Sequence, residues 1–311
     1  MSGEGPGVLW ARHGPRSSGS GSSRISRRRS WGAVVESALR EASYEVLPLR
    51  NAEEAVVEHV PRDVPLSITT TEAKGLTPTI ELAERLSEHG FDAMPHLAAR
   101  LVRDHAHLSD LAVRLRAAGV DSVFVVGGDA AEPAGTFPDA LSLLAALEAG
   151  GHSFRRVGIG GYPEGHGSIS TELIERALER KAPYATHVIT QLCFHSATTT
   201  AWARHVKLRG VDLPIRIGLP GAVTRQKLVR ISAGLGLGQS ARFLSKQHSM
   251  LWRFFLPHGY RPDRIVERLA PALGRPEHNL QGFHLFTFNE VARTEAWRQE
   301  WLARLSDAAS A

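Results

Sequence analysis

The chain has 311 residues, 42% of them hydrophobic, a formal net charge of +5 and a single cysteine. Its apolar stretches are all shorter than the about 20 residues that a membrane-spanning helix needs, so we expect no membrane association. One cysteine excludes an intrachain disulfide and predicts a reducing compartment, for which we expect the cytoplasm. Cys193 lies in an apolar run, which favours a buried packing role over nucleophilic catalysis.

Residues 1–32 differ in composition from the rest of the chain. Gly, Ser and Arg dominate them, so they are predicted to form a disordered basic tail. Most of the net positive charge belongs to this tail, and the remainder of the chain is near neutral. We expect no nucleic-acid partner, because such a role needs a basic patch with aromatic residues on a folded surface.

From Ser43 onward, eight apolar runs alternate with stretches of helical periodicity. Near-continuous apolar runs are typical of parallel strands that are covered on both faces. Eight such units predict a TIM (β/α)8 barrel, as a single domain over residues 40–305. The predicted strands are Ser43 to Leu47, Pro65 to Thr69, Asp92 to Leu97, Ser122 to Val126, Arg156 to Tyr162, His187 to Phe194, Pro214 to Leu219 and Gly282 to Phe288.

In such barrels the loops that follow the strands build the active site. The polar residues at the strand ends are therefore the candidate functional residues, although residues of these types also cap helices and form turns. The candidates are Glu45, Thr69, Thr70, His96, Asp129, Tyr162, Glu164, His166, Gln191 and Asn289.

Glu45 is the candidate general acid. Its neighbours in Ser43-Tyr44-Glu45-Val46 are suited to a strand interior, and alternation directs its carboxyl toward the barrel mouth. Burial there favours the protonated form that a general acid requires. The alternative is a structural ion pair with a cation such as Arg180 or Lys181.

Three other segments suggest ligand contacts. The glycines before Asp129 let backbone approach a ligand closely, and the carboxylate accepts hydrogen bonds from a heterocycle or ribose. Tyr162 and His166 bracket a turn that projects two rings toward a ligand, and Arg180 with Lys181 are suited either to phosphate or to a helix C-terminus. His96 is equally well explained as a core histidine. No metal is expected, because the sequence has no HExxH motif and no Cys/His ligand spacing.

The ordered set of strand-end motifs resembles the methylenetetrahydrofolate reductase family over residues 43 to about 298. No single motif is specific, but their number and order are. They are Glu45 in Tyr-Glu-Val-Leu-Pro, Ser67-Ile-Thr-Thr, Pro95-His-Leu, Gly128-Asp129, Tyr162-Pro-Glu-Gly-His166, Arg180-Lys181, Thr190-Gln191-Leu-Cys-Phe, Gly218-Leu-Pro-Gly221 and Phe283-His-Leu-Phe-Thr-Phe-Asn289.

The resemblance implies a barrel that carries FAD and passes hydride from NAD(P)H to 5,10-methylenetetrahydrofolate, giving 5-methyltetrahydrofolate. Glu45 matches the family's proton donor. Asp129 and Gln191 match folate-binding residues, and Thr69 matches a contact to the nicotinamide cofactor. The remaining matched positions are cofactor contacts: Thr70, His96, Gly128, Asp129, Tyr162, His166, Arg180 and Lys181.

Two departures from the family pattern predict FAD binding that is weaker than the family norm. Gly127 stands where the family has an arginine that contacts FAD, and the loop from Thr70 to Gly75 replaces a glycine-rich loop near the cofactor. A third departure concerns the folate, because Glu290 stands where the family commonly has an arginine that anchors the acidic tail of the substrate. Two alternatives stay open: a non-catalytic folate- or flavin-binding barrel, and a flavin-independent reductase of a related one-carbon carrier. The sequence does not choose between NADH and NADPH, and a homo-oligomer is neither required nor excluded.

Overall fold

The computed structural model describes residues 31–224, 226–227 and 260–310. Eight parallel strands form a closed barrel in sequence order, and the first strand pairs with the last. The prediction of a TIM barrel is therefore confirmed. The strands are β1 (Ser43–Val46), β2 (Leu66–Ile68), β3 (Ala93–Ala98), β4 (Ser122–Val126), β5 (Arg156–Gly161), β6 (His187–Thr190), β7 (Ile215–Pro220) and β8 (Leu280–Phe286).

Helices surround the barrel. Those within the described ranges are α1 (residues 31–40), α2 (Ala52–His59), α3 (Thr77–Glu88), α4 (His105–Ala117), α5 (Ala140–Ala149), α6 (Thr171–Lys181), α7 (Ser196–Leu208), α8 (Asp263–Leu269) and α9 (Val291–Ser310). None of the helices in these ranges is both long and apolar enough to cross a membrane.

Helix α1 precedes the predicted domain and contributes to its core. Val35, Ala38 and Leu39 are buried in the same hydrophobic cluster as the strands. Two residues of the predicted tail, Trp31 and Gly32, thus lie in this helix, and the prediction of disorder for residues 1–30 lies outside the described residues.

A buried polar network links β1 to helices α9 and α1. The Tyr44 hydroxyl donates to Glu295 Oε2 at 2.5 Å, and Arg298 pairs with the same carboxylate at 2.9 Å. Arg298 also donates to the carbonyls of Leu39 and Arg40 in α1. Each charged group has several partners, as buried ionic groups require. Tyr44 therefore faces outward, and its neighbour Glu45 faces the barrel interior.

Glycines on the inner face leave room for large side chains. A Cβ at position 158 would lie 2.6 Å from the Phe124 ring and 2.8 Å from His187 Nε2, and one at position 218 would lie 2.7 Å from the Phe286 ring. These distances are shorter than van der Waals contact, so the rings occupy the volume that the glycines leave.

Three histidines lie in the barrel interior: His96, His187 and His284. Burial lowers the pKa of His96 to about 3 and that of His187 to about 4, with nearby arginines contributing at His187. Burial also lowers the pKa of His284 well below its ordinary value. All three are neutral at physiological pH.

These histidines predict acid sensitivity. The unfolded chain takes up protons on histidine below about pH 6.5, whereas the folded chain does so only near pH 3 to 4. Stability is therefore fully present above pH 6.5 and decreases as the pH falls toward 4, by roughly 2 kcal/mol for each histidine at pH 5. Urea unfolding at pH 7 and pH 5 measures this loss.

The matched variants are His187→Gln, which removes one partly buried interior histidine, and His59→Gln, which removes an exposed one. The loss of stability between pH 7 and pH 5 should be smaller in His187→Gln and unchanged in His59→Gln. Equal losses in wild type and His187→Gln would contradict the assignment.

Candidate active site

A narrow cavity opens at the carboxyl ends of the strands. Five of the predicted site residues line it: Glu45, Thr69, His96, Tyr162 and Gln191. The other lining residues were not predicted as site residues, and they are Phe124, Val126, Gly160, Gly161, Ile189, Thr190, His284 and Phe286. Residues from seven of the eight strands or from their ends thus meet in one place, as expected for a TIM-barrel mouth.

Glu45 and His96 form a buried pair in this cavity. His96 Nε2 lies 3.9 Å from Glu45 Oε2, and their side chains are 8% and 9% exposed. His96 Nε2 has no hydrogen-bond partner among the described residues. A buried polar atom without a partner costs free energy unless a ligand or water satisfies it. The pair therefore offers a carboxyl group and a neutral imidazole to a ligand.

Thr70 has a structural bond of its own. Its hydroxyl donates to the His96 carbonyl oxygen at 2.7 Å, which links the end of β2 to β3. Thr79 in α3 donates to the Thr69 carbonyl at 3.0 Å. These bonds hold the Thr69 side chain at the cavity and leave Thr70 behind it, outside the cavity lining.

The loop after β4 carries Asp129. Gly128 has φ +94°, a conformation that side-chain-bearing residues rarely adopt. Arg100 fastens this loop, because its guanidinium donates to the carbonyls of Ala130, Ala131 and Pro138 at 2.6 to 3.0 Å. Arg100 was not identified from the sequence. It holds the segment that presents Asp129.

Asp129 lies close to the ring of Tyr162. The pKa of the Tyr162 hydroxyl is raised, first by burial and then by the negative charge of Asp129. His166 packs edge-on against the Tyr162 ring, with the ring centroids 5.3 Å apart. The structure therefore brings Asp129, Tyr162 and His166 together at one side of the mouth.

Glu164, which lies between Tyr162 and His166 in the sequence, has a different role. Its Oε1 accepts hydrogen bonds from the backbone N–H groups of Phe194 and His195, at 2.6 and 2.7 Å. His195 is the N-cap residue of α7, where a carboxylate is favourable. Glu164 thus fastens the loop after β5 to the start of α7.

Asn289 also has a structural role. Its side chain accepts from Leu47 N at 2.8 Å and donates to Leu47 O at 3.0 Å. These two bonds continue the pairing of β8 with β1 beyond the strands. Glu164 and Asn289 thus both satisfy backbone groups that are remote in sequence, which is the structural alternative for residues at strand ends.

Gln191 and Cys193 follow β6. Gln191 lines the cavity, and its Oε1 accepts from Leu192 N at 2.9 Å. Cys193 is fully buried, and burial raises the pKa of its thiol to about 12. Since the thiolate is the nucleophilic form, Cys193 is inert, in agreement with the predicted packing role.

Arg180 and Lys181 lie on α6 and not in the cavity lining. Arg180 is exposed, whereas Lys181 is partly buried near Asp139, the N-cap residue of α5. Burial lowers the pKa of Lys181 to about 8, partly offset by the Asp139 charge. Of the two, Lys181 is thus the one that lies near the start of α5.

His284 is the main interior residue that the sequence interpretation did not single out. Its Nδ1 lies 2.8 Å from Ser43 Oγ and its Nε2 lies 3.3 Å from Ser67 Oγ. The alternation of β8 places His284 on the same face as Phe286, and this periodicity is the signal that identifies it. Within the described ranges, no cluster of His, Cys, Asp and Glu is arranged to bind a metal.

A family model provides the decisive comparison. The model for methylenetetrahydrofolate reductase matches residues 43–233, which is more than half of the chain and includes the strands from β1 to β7. The chain belongs to the methylenetetrahydrofolate reductase family. It is thus assigned to a family of oxidoreductases of folate metabolism, whose members are generally flavoproteins.

Arg100 should affect ligand binding at this site through the loop that carries Asp129. Replacing it with Gln removes up to three charge-assisted hydrogen bonds, so the loop that carries Asp129 should loosen. The Kd for tetrahydrofolate, measured by quenching of tryptophan fluorescence, should rise about tenfold, equivalent to about 1.4 kcal/mol. Arg100→Lys should recover part of the affinity.

The matched control is Arg116→Gln, since Arg116 is an exposed arginine on α4. It should bind tetrahydrofolate as the wild type does. An unchanged Kd in Arg100→Gln would show that the loop does not depend on this guanidinium.

Proposed function

We propose that this protein reduces 5,10-methylenetetrahydrofolate to 5-methyltetrahydrofolate, with NADH or NADPH as the source of hydride. The observation that carries the proposal is the buried Glu45 carboxyl at the cavity, 3.9 Å from a neutral His96. The family match over residues 43–233 supports the substrate class. A cytoplasmic location is part of the same proposal.

Glu45 acts as the general acid. It gives its proton to a nitrogen of the methylene bridge, the bond from that nitrogen to the bridge carbon breaks, and an electrophilic iminium remains on the other nitrogen. Hydride addition to the iminium carbon then yields the methyl group. His96 is neutral, so it adds no positive charge that would draw the proton away from Glu45 or oppose the iminium.

Asp129 and Gln191 position the folate. A carboxylate accepts hydrogen bonds from the amino-pyrimidine edge of a pterin, and the negative charge of Asp129, which is exposed at the mouth, favours the cationic iminium. Gln191 and Thr69 face the same cavity, where folate and nicotinamide would bind in turn. Water exclusion is supported by Phe124 and Phe286 in the cavity wall.

The residues at the mouth fit FAD. His96 Nε2 is an unsatisfied polar atom in the cavity, the Tyr162 ring offers an aromatic face, and a Cβ added at Gly127 would meet nothing within 4 Å. The open space beside this backbone suits a flat ring system. When bound, FAD supplies a carrier that accepts hydride from NAD(P)H and donates it to the folate.

The residues proposed to hold FAD lie on one side of the mouth and along α6. Tyr162, His166 and His96 would contact the ring system, the backbone of Gly128 and Asp129 would contact its edge, and Lys181 would serve the phosphates. Thr70 contributes through its bond to the His96 carbonyl, and Arg180 contributes charge from the exposed face of α6.

The Glu45→Gln variant tests the proposed chemistry. Gln keeps the shape of the side chain but carries no transferable proton, so folate reduction should fall by roughly 10²-fold or more. Oxidation of NAD(P)H by bound flavin needs no such donor and should keep its wild-type rate. Stopped-flow absorbance measures the two half-reactions separately, and a melting curve checks the fold. A parallel decrease of both half-reactions would show that Glu45 is structural.

FAD binding tests the proposed cofactor. Hydride transfer requires donor and acceptor to be stacked at close distance, so purified protein should show flavin absorption bands or acquire them when FAD is added. Gly127 removes the family's cationic contact, so the affinity should be below the family norm. Protein that binds no added FAD yet reduces the folate would favour the flavin-independent alternative.

A further inference from the structure

A second cavity, of about 240 Å³, lies at the opposite end of the barrel from the mouth. Its polar lining comes from the inward-facing residues at the start of the strands, which include Ser43, Asp92, Ser122, Arg156, His187 and Arg216. Met94 and Ile189 form its apolar wall toward the barrel centre. None of these positions takes part in the proposed reduction.

The two arginines in this cavity differ in how their charges are compensated. Arg156 Nη2 pairs with Asp92 at 2.5 Å and donates to Ser122 Oγ at 2.9 Å. Arg216, in contrast, forms no ion pair with a described residue, and its Nη1 donates to the carbonyl oxygen of Glu41. A guanidinium has five N–H donors, so Arg216, which lines the cavity, keeps donors that no described residue accepts.

Arg216 is partly buried. Burial, reinforced by the Arg156 charge and partly offset by the charges of Glu41 and Asp92, lowers its pKa. The pKa of an arginine is high enough that it stays protonated nonetheless. A partly buried cation that hydrogen-bonds to one backbone carbonyl keeps donors that a ligand or water can satisfy.

The local backbone directs Arg216 into the cavity. The pairing of β7 with β8 shifts register between Ile215 and Arg216, which gives β8 an additional residue at Gln281. Such bulges redirect side chains at barrel rims. The guanidinium then lies over Gly282, where an added Cβ would lie 3.6 Å from Nη1.

We propose that this cavity is a binding site for a small oxyanion, a phosphate or a carboxylate, that pairs with the Arg216 guanidinium. The planar fork of a guanidinium matches two oxygens of such a group. Asp92 pairs with Arg156, so Arg216 is the lining arginine whose donors remain for an anion, and Glu41, which also lines the cavity, places its charge near Arg216. The cavity volume accommodates an inorganic phosphate ion or a small carboxylic acid.

The experiment uses inorganic phosphate and acetate as probes at constant ionic strength, with chloride as the reference anion. Isothermal titration calorimetry should show one site for phosphate or acetate on the wild-type chain. Saturation should raise Tm by about 5 °C, because a ligand that binds only the folded state stabilises it. Phosphate heat alone identifies a phosphate site, and acetate heat alone identifies a carboxylate site.

Three variants locate the site. Arg216→Gln should lose the binding heat and the Tm rise, whereas Arg155→Gln, which removes an exposed arginine paired with Asp121, should keep both. Lys181→Gln tests the phosphate region near the mouth and should also keep both. If Arg216→Gln does not fold, Arg216→Lys decides the question, with an expected affinity at least tenfold weaker than the wild type.

Two outcomes would overturn the proposal. One is the absence of heat and of any Tm rise with both probes on wild-type protein, which would make Arg216 a structural cation. The other is an effect of the variants opposite to the expected one. Binding that survives in Arg216→Gln, or that keeps its wild-type affinity in Arg216→Lys, would show that Arg216 does not bind the anion. Loss of binding in Lys181→Gln would place the anion near the mouth. These readouts do not involve folate reduction, so they are independent of the proposed function.

Discussion

The register of β1 within the closed barrel is the constraint on which the site depends. Side chains alternate along a strand, so a shift by one residue would exchange Tyr44 and Glu45. The pairing of Glu45 with Ser67 on β2 and with Phe286 on β8 fixes this register. The Thr287 hydroxyl secures it further by donating to the Glu45 carbonyl at 2.7 Å. Glu45 is thus held by backbone pairing on both sides.

The barrel interior contains polar side chains, and their charge decides whether they can be buried without a partner. Histidines that stay neutral can be buried without a counter-charge, whereas charged groups cannot. His284 satisfies its ring nitrogens with Ser43 and Ser67, while His96 leaves Nε2 open at the mouth. The same residue type is therefore structural in the middle of the barrel and available to a ligand at its end.

The sequence was sufficient to predict the barrel and part of the site. Apolar runs of strand length recur eight times, and the residues at their ends include Glu45, His96 and Gln191, which line the cavity. Position at a strand end is a property that periodicity reveals directly. The family resemblance added the proposed roles of these residues.

Other features depend on contacts that no local pattern encodes. Glu164 and Asn289 occupy strand-end positions as Glu45 does, yet their side chains bond to backbone groups far away in sequence. Arg100 acts through three carbonyls of another loop. A sequence shows where such residues stand, but their partners are known only once the loops are placed.

The central claim is tested most directly by following the product. Purified protein is supplied with 5,10-methylenetetrahydrofolate and with NADH or NADPH, in the presence of FAD, and 5-methyltetrahydrofolate is quantified by chromatography with mass spectrometry. The account predicts one molecule of product for each nicotinamide oxidised. Folded protein that forms no 5-methyltetrahydrofolate with either nicotinamide would contradict it.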